Sequence, residues 1–219
     1  MSIPVSDRPL RQDAERNRER IVFAARDAFA DGGIDVTMDE VARRAGVGIG
    51  TVYRRFPDKE ALIDAVFEER LRELGEIARE ALDEPDAWRG FTTYLERAMA
   101  LNAANRGLHA VIGSQEHGRD RLAALKARIR PLAARLVARA QEQGTLRPDF
   151  SPADLPLVFA SVGRVIELTK DEEPELWRRY LGLLLDGLRT ECATPLPRPP
   201  LRAAQLNRLG VHRLPRSAT

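Results

Sequence analysis

Apolar residues recur every three or four positions along nearly the whole chain, and no long segment alternates strictly between apolar and polar side chains. The first spacing is typical of amphipathic helices, whereas strict alternation is typical of half-buried strands. The sequence therefore predicts an all-α protein.

The N-terminal third contains short helices with clear start and stop signals. An apolar helical face ends at Gly32-Gly33, a pair typical of a left-handed helix end. Thr37 has the position of an N-cap, and Glu40 follows three residues later to complete a capping box. Gly46 ends this second helix, so a third must begin within three residues. Pro57 stops the third helix, because proline disfavours helical geometry at the preceding residue.

Further signals predict the helices of the remaining chain. Asp58 can cap a fourth helix, and Glu84-Pro85 is a later start with proline at the first helical position. A long helix is kinked or restarted at Pro131. Ser151 can cap the next helix, with Pro152 at its first position, and the last helix is predicted over residues 174–192.

Composition narrows the class of protein. The 219 residues form one domain or a small domain joined to a larger one. The net charge of +2 conceals five arginines in residues 193–219, which leave the rest of the chain mildly acidic. Cys192 is alone and cannot form an internal disulfide, and no stretch approaches the roughly 20 apolar residues of a bilayer span. We therefore expect a soluble cytoplasmic protein that does not enter a membrane.

The stretch VGIGTVYRRF, residues 47–56, concentrates basic and small side chains on one side of a short helix. On a helical wheel, Val52 and Phe56 point inward, and the outward side presents Gly50, Thr51 and Arg54 with Tyr53 beside them. Two short helices joined by a tight glycine turn predict a helix-turn-helix, whose second helix fits a major groove about 12 Å wide.

The side-chain chemistry assigns a hypothetical role to each exposed position. A helix start and an amphipathic tyrosine suit phosphate contacts, which predicts that the backbone of duplex DNA is held by Thr37, Tyr53, Arg55 and Lys59. Gly50 allows the backbone to approach the DNA closely, and Thr51 and Arg54 are predicted to read base edges. For Arg43, Arg44 and Arg55, ordinary solvated charge is an equally good interpretation.

The sequence TMDEVARRAGVGIGTVYRRFPDKEALIDAV resembles the DNA-binding domain of the TetR (tetracycline repressor) family, over about residues 15–66. The resemblance implies phosphate contacts for Thr37, Tyr53 and Lys59, and base contacts for Gly50, Thr51 and Arg54. One departure is Gly48, where members often have serine, so the usual side-chain cap of the recognition helix is missing.

The last helix predicts a homodimer. Its apolar residues cover about 200° of the helical wheel, whereas burial against the helix's own core needs roughly 100°. The preceding helix is similarly wide, so two helices from each of two chains could form a four-helix interface. The predicted interface residues are Val158, Val165, Trp177, Leu181, Leu184, Leu185 and Leu188. The alternative is a helix buried centrally in its own domain.

The resemblance also implies a pocket for a small effector among the intervening helices. Candidate lining residues are Trp88, Phe91, Tyr94, Met99, His109 and Phe159, although a residue of each of these types is more often plain core. An effector that binds better to a conformation with the wrong distance between the recognition helices would lower DNA affinity. The size of the decrease is the ratio of the effector's affinities for the two conformations.

These observations predict an N-terminal three-helix domain with a helix-turn-helix and a larger C-terminal helical bundle. The predicted segments are a flexible arm over 1–12, a DNA-binding domain over 13–60, a connecting helix over 61–84, an effector-binding and dimerisation domain over 85–192 and a disordered basic tail over 193–219. The expected function is a ligand-responsive repressor that binds a palindromic operator.

Two other classes of protein compete with this prediction. An enzyme is disfavoured, because His109, His117 and His212 have no metal-ligand spacing and no glycine-rich phosphate loop exists. We therefore expect no metal, no cofactor and no catalytic residues. A helical interaction adaptor without a DNA role is the other alternative, and a salt-dependent affinity for duplex DNA would distinguish a regulator from it.

Overall fold

The computed structural model describes residues 8–104, 116–202 and 205–206, without the side chains of residues 8–12, 34, 116–126 and 192. Eight α-helices lie in these ranges, and no β-strand does. They are α1 (Arg8–Gly32), α2 (Met38–Ala45), α3 (Ile49–Arg55), α4 (Lys59–Asp83), α5 (Ala87–Ala104), α6 (Glu116–Glu142), α7 (Leu155–Thr169) and α8 (Trp177–Leu188). The prediction of an all-α protein is confirmed.

The chain divides into two compact units. The first contains residues 1–70 and 105–118, and the second contains residues 71–104 and 119–219. The division falls inside α4, so this continuous helix belongs to both units. It includes most of the segment predicted to be a connecting helix.

Several helix starts differ from the sequence prediction. α1 already begins at Arg8, inside the predicted flexible arm, because Pro9 lies in the first turn, where proline is tolerated. α5 begins after Asp86, not at Glu84-Pro85, since the Asp86 carboxylate accepts the backbone N–H of Arg89 at 3.0 Å.

The later helices differ from the prediction in the same way. α6 is not restarted at Pro131, because a buried stripe that includes Ile129 and Leu136 continues across the proline. Ser151 caps only a turn, accepting the N–H of Ala153 at 3.2 Å, and α7 begins three residues after Pro152. α8 covers Trp177–Leu188, which is shorter at both ends than the predicted 174–192.

Each unit has its own apolar core. In the first unit, α1 contributes Ile21 and Phe29, which are buried together with Val41 and Val52 of the next two helices. The second unit contains one large cluster, with Phe91 at the centre of an aromatic group. The Phe91 ring lies edge-on to Phe150 at 6.1 Å. The apolar sides of the amphipathic helices face these two cores, as the periodicity predicts.

A buried guanidinium holds the end of α8. Arg147 donates to both carboxylate oxygens of Asp149, at 2.6 and 3.0 Å, to the Gly187 carbonyl at 3.1 Å and to the Thr194 carbonyl. The same guanidinium lowers the pKa of Asp149 below its ordinary value. Because Thr194 lies in the predicted disordered tail, the first residues of that tail are held against the second unit.

Gly90 is required by the close approach of α5 to α4. A β-carbon at Gly90 would lie 2.3 Å from the backbone oxygen of Ala81, closer than real contacts allow. We expect Gly90→Ala to lower the free energy of unfolding by about 1–3 kcal/mol, since overpacking must move a helix backbone. Urea denaturation of the full chain measures this.

The matched control for that substitution is Gly75→Ala in α4. Its added β-carbon would meet only the flexible tip of Arg79, at an ordinary 3.5 Å. Removing a helical glycine there should leave stability unchanged or raise it by about 0.5–1 kcal/mol. Equal effects of the two substitutions would show that the Gly90 contact is not limiting.

Candidate nucleic-acid interface

Thr37 begins α2 as the sequence predicts. Its backbone is extended, with φ −94° and ψ 160°, and its hydroxyl oxygen accepts the N–H of Glu40 at 3.2 Å. The Glu40 side chain does not complete the capping box, because its carboxylate is bonded to Arg43 and Arg44. The exposed threonine therefore stands at a helix N-terminus, whose free N–H groups and dipole favour an anion.

A tight glycine turn connects α2 to α3. Gly46 adopts the left-handed conformation, with φ 63° and ψ 39°, and the N–H of Val47 donates to the Ala42 carbonyl at 3.1 Å. Arg20 of α1 reinforces the turn by donating to the Ala45 carbonyl at 2.8 Å. As predicted, α3 then begins after Gly48 without a side-chain cap.

α3 has the orientation that the helical wheel predicts. Val52 is fully buried and Phe56 is nearly so, whereas Gly50, Arg54 and Arg55 are exposed. Thr51 is half-buried, and the ring of Tyr53 is 49% exposed beside them. The helix is thus packed by one side, and its small and basic residues are accessible on the other.

Thr51 and Arg54 are hydrogen-bonded to each other. The Arg54 guanidinium donates to the Thr51 hydroxyl at 3.2 Å, one turn earlier on α3. This bond holds the two predicted base-reading side chains on the same face. It also leaves most of the guanidinium donors of Arg54 available.

Lys59 is the first residue of α4. The preceding residue, Asp58, caps this helix as predicted, because its carboxylate accepts the N–H of Ala61 at 2.7 Å. Lys59 is half-buried, and its backbone position is fixed because it begins α4. The first unit therefore contains two marked helix N-termini, one with a threonine and one with a lysine.

An ion-pair network that we did not predict engages two of the basic residues of α2. Glu40 accepts from Arg43 at 2.6 Å and from Arg44 at 2.8 Å, and Arg44 also donates to Asp31 at 2.7 Å. The Arg43 guanidinium, followed by that of Arg44, lowers the pKa of Glu40 to about 2. The spacing of three and four residues was the signal for these pairs.

The sequence left Arg43 and Arg44 open between a DNA contact and ordinary solvated charge. The structure shows a third arrangement, in which both are paired with acids of their own chain. Arg55 differs, since it forms no ion pair within the described ranges. It is therefore the arginine of this group that is best placed to meet a phosphate.

Five of the six predicted effector-pocket residues lie together in the second unit. Phe91, Tyr94 and Met99 are buried in its core, and Trp88 and Phe159 pack against them partly exposed. The Tyr94 ring stands edge-on to Phe159 at 6.4 Å, and burial raises the pKa of Tyr94 to about 12. His109 lies outside the described residues.

The predicted dimer residues separate into two groups. Trp177 and Leu181 are buried in the core of their own unit, so their assignment to an interface between subunits is wrong. Val158, Val165, Leu185 and Leu188 are partly buried against that core, and Leu184 is exposed. The large apolar side chains that remain accessible on α7 and α8 are Leu157, Leu168, Tyr180, Leu183 and Leu184.

The described part of the chain contains neither a membrane-spanning helix nor a metal-binding cluster. No helix there is long and apolar enough to cross a membrane. No group of three or more histidine, cysteine or acidic side chains in those ranges could hold a metal ion. The surface of α3 with the starts of α2 and α4 is the candidate site that the geometry supports.

Two family models match the chain. The model of bacterial regulatory proteins of the tetR family matches residues 21–66, which include all of α2 and α3. The model of the C-terminal domain of SbtR-like transcriptional regulators matches residues 86–190. An HTH-type transcriptional regulator of Staphylococcus aureus strain USA300 is 41% identical over 54 residues, which are 24% of this chain and 29% of that protein. The chain thus matches less than a third of that curated relative's length.

Solved structures extend the comparison over most of the chain. A TetR transcription regulatory protein from Mycobacterium vanbaalenii is 36% identical, with a TM-score of 0.66, over 83% of this chain and 99% of that one. The regulator FadR from Bacillus subtilis, solved with stearoyl-CoA, has a TM-score of 0.61 at 17% identity, over 78% of this chain and 98% of that one, so it shows the fold alone. The chain belongs to the TetR family of helix-turn-helix transcriptional regulators and is a DNA-binding regulator, not an enzyme.

Proposed function

We propose that this protein is a ligand-responsive repressor that binds a palindromic operator as a homodimer. The observation that carries the proposal is the exposed side of α3, where Gly50, Thr51 and Arg54 are accessible while Val52 is fully buried. A short helix that is packed by one side and basic on the other can enter a major groove. Because the operator is chromosomal DNA, we place the protein in the cytoplasm.

Phosphate contacts position α3 in the groove. Thr37 offers its hydroxyl and the N–H groups of the α2 start to one phosphate, and Lys59 offers its ammonium at the α4 start to another. Tyr53 donates its hydroxyl and Arg55 its guanidinium to the same backbone. These four contacts set the register of the helix without reading sequence.

Base contacts come from the centre of the exposed face. Gly50 has no side chain, and nothing within 4 Å surrounds the place of its missing β-carbon, so the backbone can approach the base edges closely. Arg54 donates two bonds to a guanine, and the Thr51 methyl contacts a thymine. The intramolecular bond between their side chains keeps both residues oriented toward the groove.

The accessible apolar side chains of α7 and α8 supply the dimer interface. Leu183 is 58% exposed and Leu168 is 66% exposed, and these two helices pack against each other. Two-fold symmetry brings α7 and α8 of one chain against the same two helices of a second chain, which forms a four-helix interface. Two recognition helices are then placed about one helical turn of DNA apart, roughly 34 Å, which matches a palindrome.

A small apolar effector regulates the repressor. The proposed site is the aromatic region of the second unit that contains Trp88, Phe91, Tyr94, Met99 and Phe159. A TetR-fold protein has been solved with stearoyl-CoA, whose acyl chain is apolar, so this fold can hold such a chain. The effector binds more tightly to a conformation in which the two recognition helices have the wrong distance for the operator. It therefore lowers operator affinity by the ratio of its affinities for that conformation and for the DNA-binding one.

Selection of bound fragments from random duplex DNA tests the proposed function. A palindromic sequence should be enriched, and the affinity for it should fall steeply with salt, since each phosphate contact releases counterions. No enrichment of any sequence over the starting pool would reject the operator proposal and leave the adaptor alternative.

Lys59→Ala tests the phosphate contacts. We expect the slope of log affinity against log salt to become shallower by about 1 for each subunit, with the same preferred sequence. Adding Tyr53→Phe should cost about 1 kcal/mol more per subunit, because one hydrogen bond is lost. Fluorescence anisotropy across a salt series measures both quantities.

Lys170→Ala is the matched control, since it removes the same charge from the second unit, where Lys170 lies 3.9 Å from Glu167. It should leave the salt slope unchanged. An unchanged slope and affinity in Lys59→Ala and Tyr53→Phe would refute the phosphate contacts.

A further inference from the structure

A cleft of about 400 Å³ lies on the first unit between α1 and α3. Three of its residues belong to α3, and three come from the N-terminal half of α1. The lining residues are Asp13, Ala14, Asn17, Thr51, Arg54 and Arg55. The three α3 residues of the cleft contact DNA in the proposed function. The three α1 residues have no part in that function.

The chemistry of the cleft favours a base edge over a phosphate. A phosphate has only acceptors and carries negative charge, so the carboxylate of Asp13 would repel it. Base edges in the major groove present donors as well as acceptors. An amide, a carboxylate, a hydroxyl and two guanidiniums together offer both kinds of partner.

We propose that Asn17 is an additional base-reading residue and that Asp13 is a positioning residue for the arginines of α3. The proposal rests on the operator-binding function of α3. In it, α1 and α3 form one composite reading surface, and the operator half-site is longer than α3 alone can read. Asn17 reads an adenine beside the bases contacted by Thr51 and Arg54.

Asn17 is half-buried, so its side chain has fewer accessible rotamers than a free surface amide. Its amide can donate to N7 and accept from the N6 amino group of adenine, which is the pairing that asparagine makes in the major groove. The small side chain of Ala14, one turn earlier, leaves space for the base edge.

Asp13 acts on selectivity through charge. Its carboxylate lies 4.0 Å from the Arg16 guanidinium and lines the same cleft as Arg54 and Arg55. A negative charge there attracts the arginine side chains toward the cleft and opposes nonspecific attraction to phosphates. Asp13 therefore raises the ratio of specific to nonspecific binding at some cost in total affinity.

Asn17→Ala and Asn17→Asp test the base-reading role in the full-length protein with selected duplex DNA. Asn17→Ala should lose about tenfold in affinity for the preferred site and relax the preference at one base pair of each half-site. Asn17→Asp keeps the shape but only accepts, so the preference at that base pair should change from adenine to cytosine. A purely structural role of Asn17 would not produce this change.

Asp13→Asn should raise the affinity for nonspecific duplex DNA about threefold to tenfold and lower the specificity ratio. Glu15→Gln is the matched control, because it removes the same charge from an exposed position of α1 that does not line the cleft. It should leave the specificity ratio close to that of the wild type. Equal changes in the two variants would show a general effect of net charge and overturn the role of Asp13.

Two results would overturn the role of Asn17. A uniform loss of affinity across sequences in Asn17→Ala would show a phosphate contact, and because asparagine is neutral the salt slope would stay near the wild-type value. An unchanged sequence preference in both Asn17 variants would show that α1 reads no base. If the wild type selected no sequence, the operator function and this inference would both fail, whereas a selective wild type with unaltered variants would reject the inference alone.

Discussion

Arg54→Ala is expected to lower operator affinity by about 2–6 kcal/mol, which is roughly 30-fold to 20,000-fold, and to erase the preference at one base pair in each half-site. A bidentate contact to guanine contributes about 1–3 kcal/mol, and a dimer makes it twice. The exposed guanidinium and its hydrogen bond to the Thr51 hydroxyl are the basis of this expectation. Selection of bound sequences by the variant, followed by anisotropy, measures both effects.

Arg54→Lys separates base reading from charge. Lysine keeps the positive charge but lacks the planar fork that pairs with the two guanine acceptors. The salt slope should therefore stay at the wild-type value while the base preference is weakened. A lysine variant with unaltered preference would show that Arg54 contributes only electrostatic attraction.

Arg43→Ala is a second control for the same experiment. Arg43 is exposed like Arg54, but its guanidinium is already bonded to Glu40 at 2.6 and 2.9 Å. Its loss should change operator affinity by no more than about 1 kcal/mol, which is the usual limit for a surface ion pair. A loss as large as that of Arg54→Ala would move base reading to the C-terminal end of α2.

The features that the sequence predicts best depend on neighbouring residues. The Thr37 cap, the Asp58 cap and the helix end at Gly46 are all observed as predicted. Each requires only that a side chain meet an N–H three residues later, or that a glycine adopt positive φ. The orientation of α3 follows equally directly, since seven residues with one buried valine leave little choice of face.

One helix start was predicted wrongly where two acids competed for the same role. Glu84 and Asp86 both precede α5, and Asp86 is the residue that accepts from the helix. Glu84 instead accepts from the Arg89 guanidinium, at 2.6 Å, through its longer side chain. The sequence contains both possibilities, and the choice depends on where the Gly90 contact with Ala81 places α5.

The dimer residues show a different limit of sequence reasoning. A helical wheel gives the width of an apolar arc, but it does not say which half of the arc faces the protein's own core. In α8 that half is the side of Trp177 and Leu181, while Tyr180 and Leu183 are left accessible. The wide apolar arc predicts a partner, but the choice of interface residues required the packing of α8 on α5 and α7.

Leu183→Glu is expected to convert the proposed homodimer to a monomer. Burying one leucine of this exposure contributes about 1.5–3 kcal/mol, and two-fold symmetry places the substitution twice in one interface. The dimer dissociation constant should rise by at least 100-fold, from loss of apolar burial alone, and the new carboxylates add a desolvation cost. Sedimentation velocity at micromolar concentration measures the change.

Leu196→Glu is the matched control, because Leu196 is 50% exposed, close to the 58% of Leu183, and lies outside α7 and α8. It should remain dimeric and bind the operator like the wild type. The Leu183→Glu monomer should lose operator affinity by about a thousandfold or more, since a single recognition helix must then bind alone. Unaltered sedimentation of Leu183→Glu would refute the interface, whereas a monomer with full operator affinity would show that one subunit is sufficient to bind DNA.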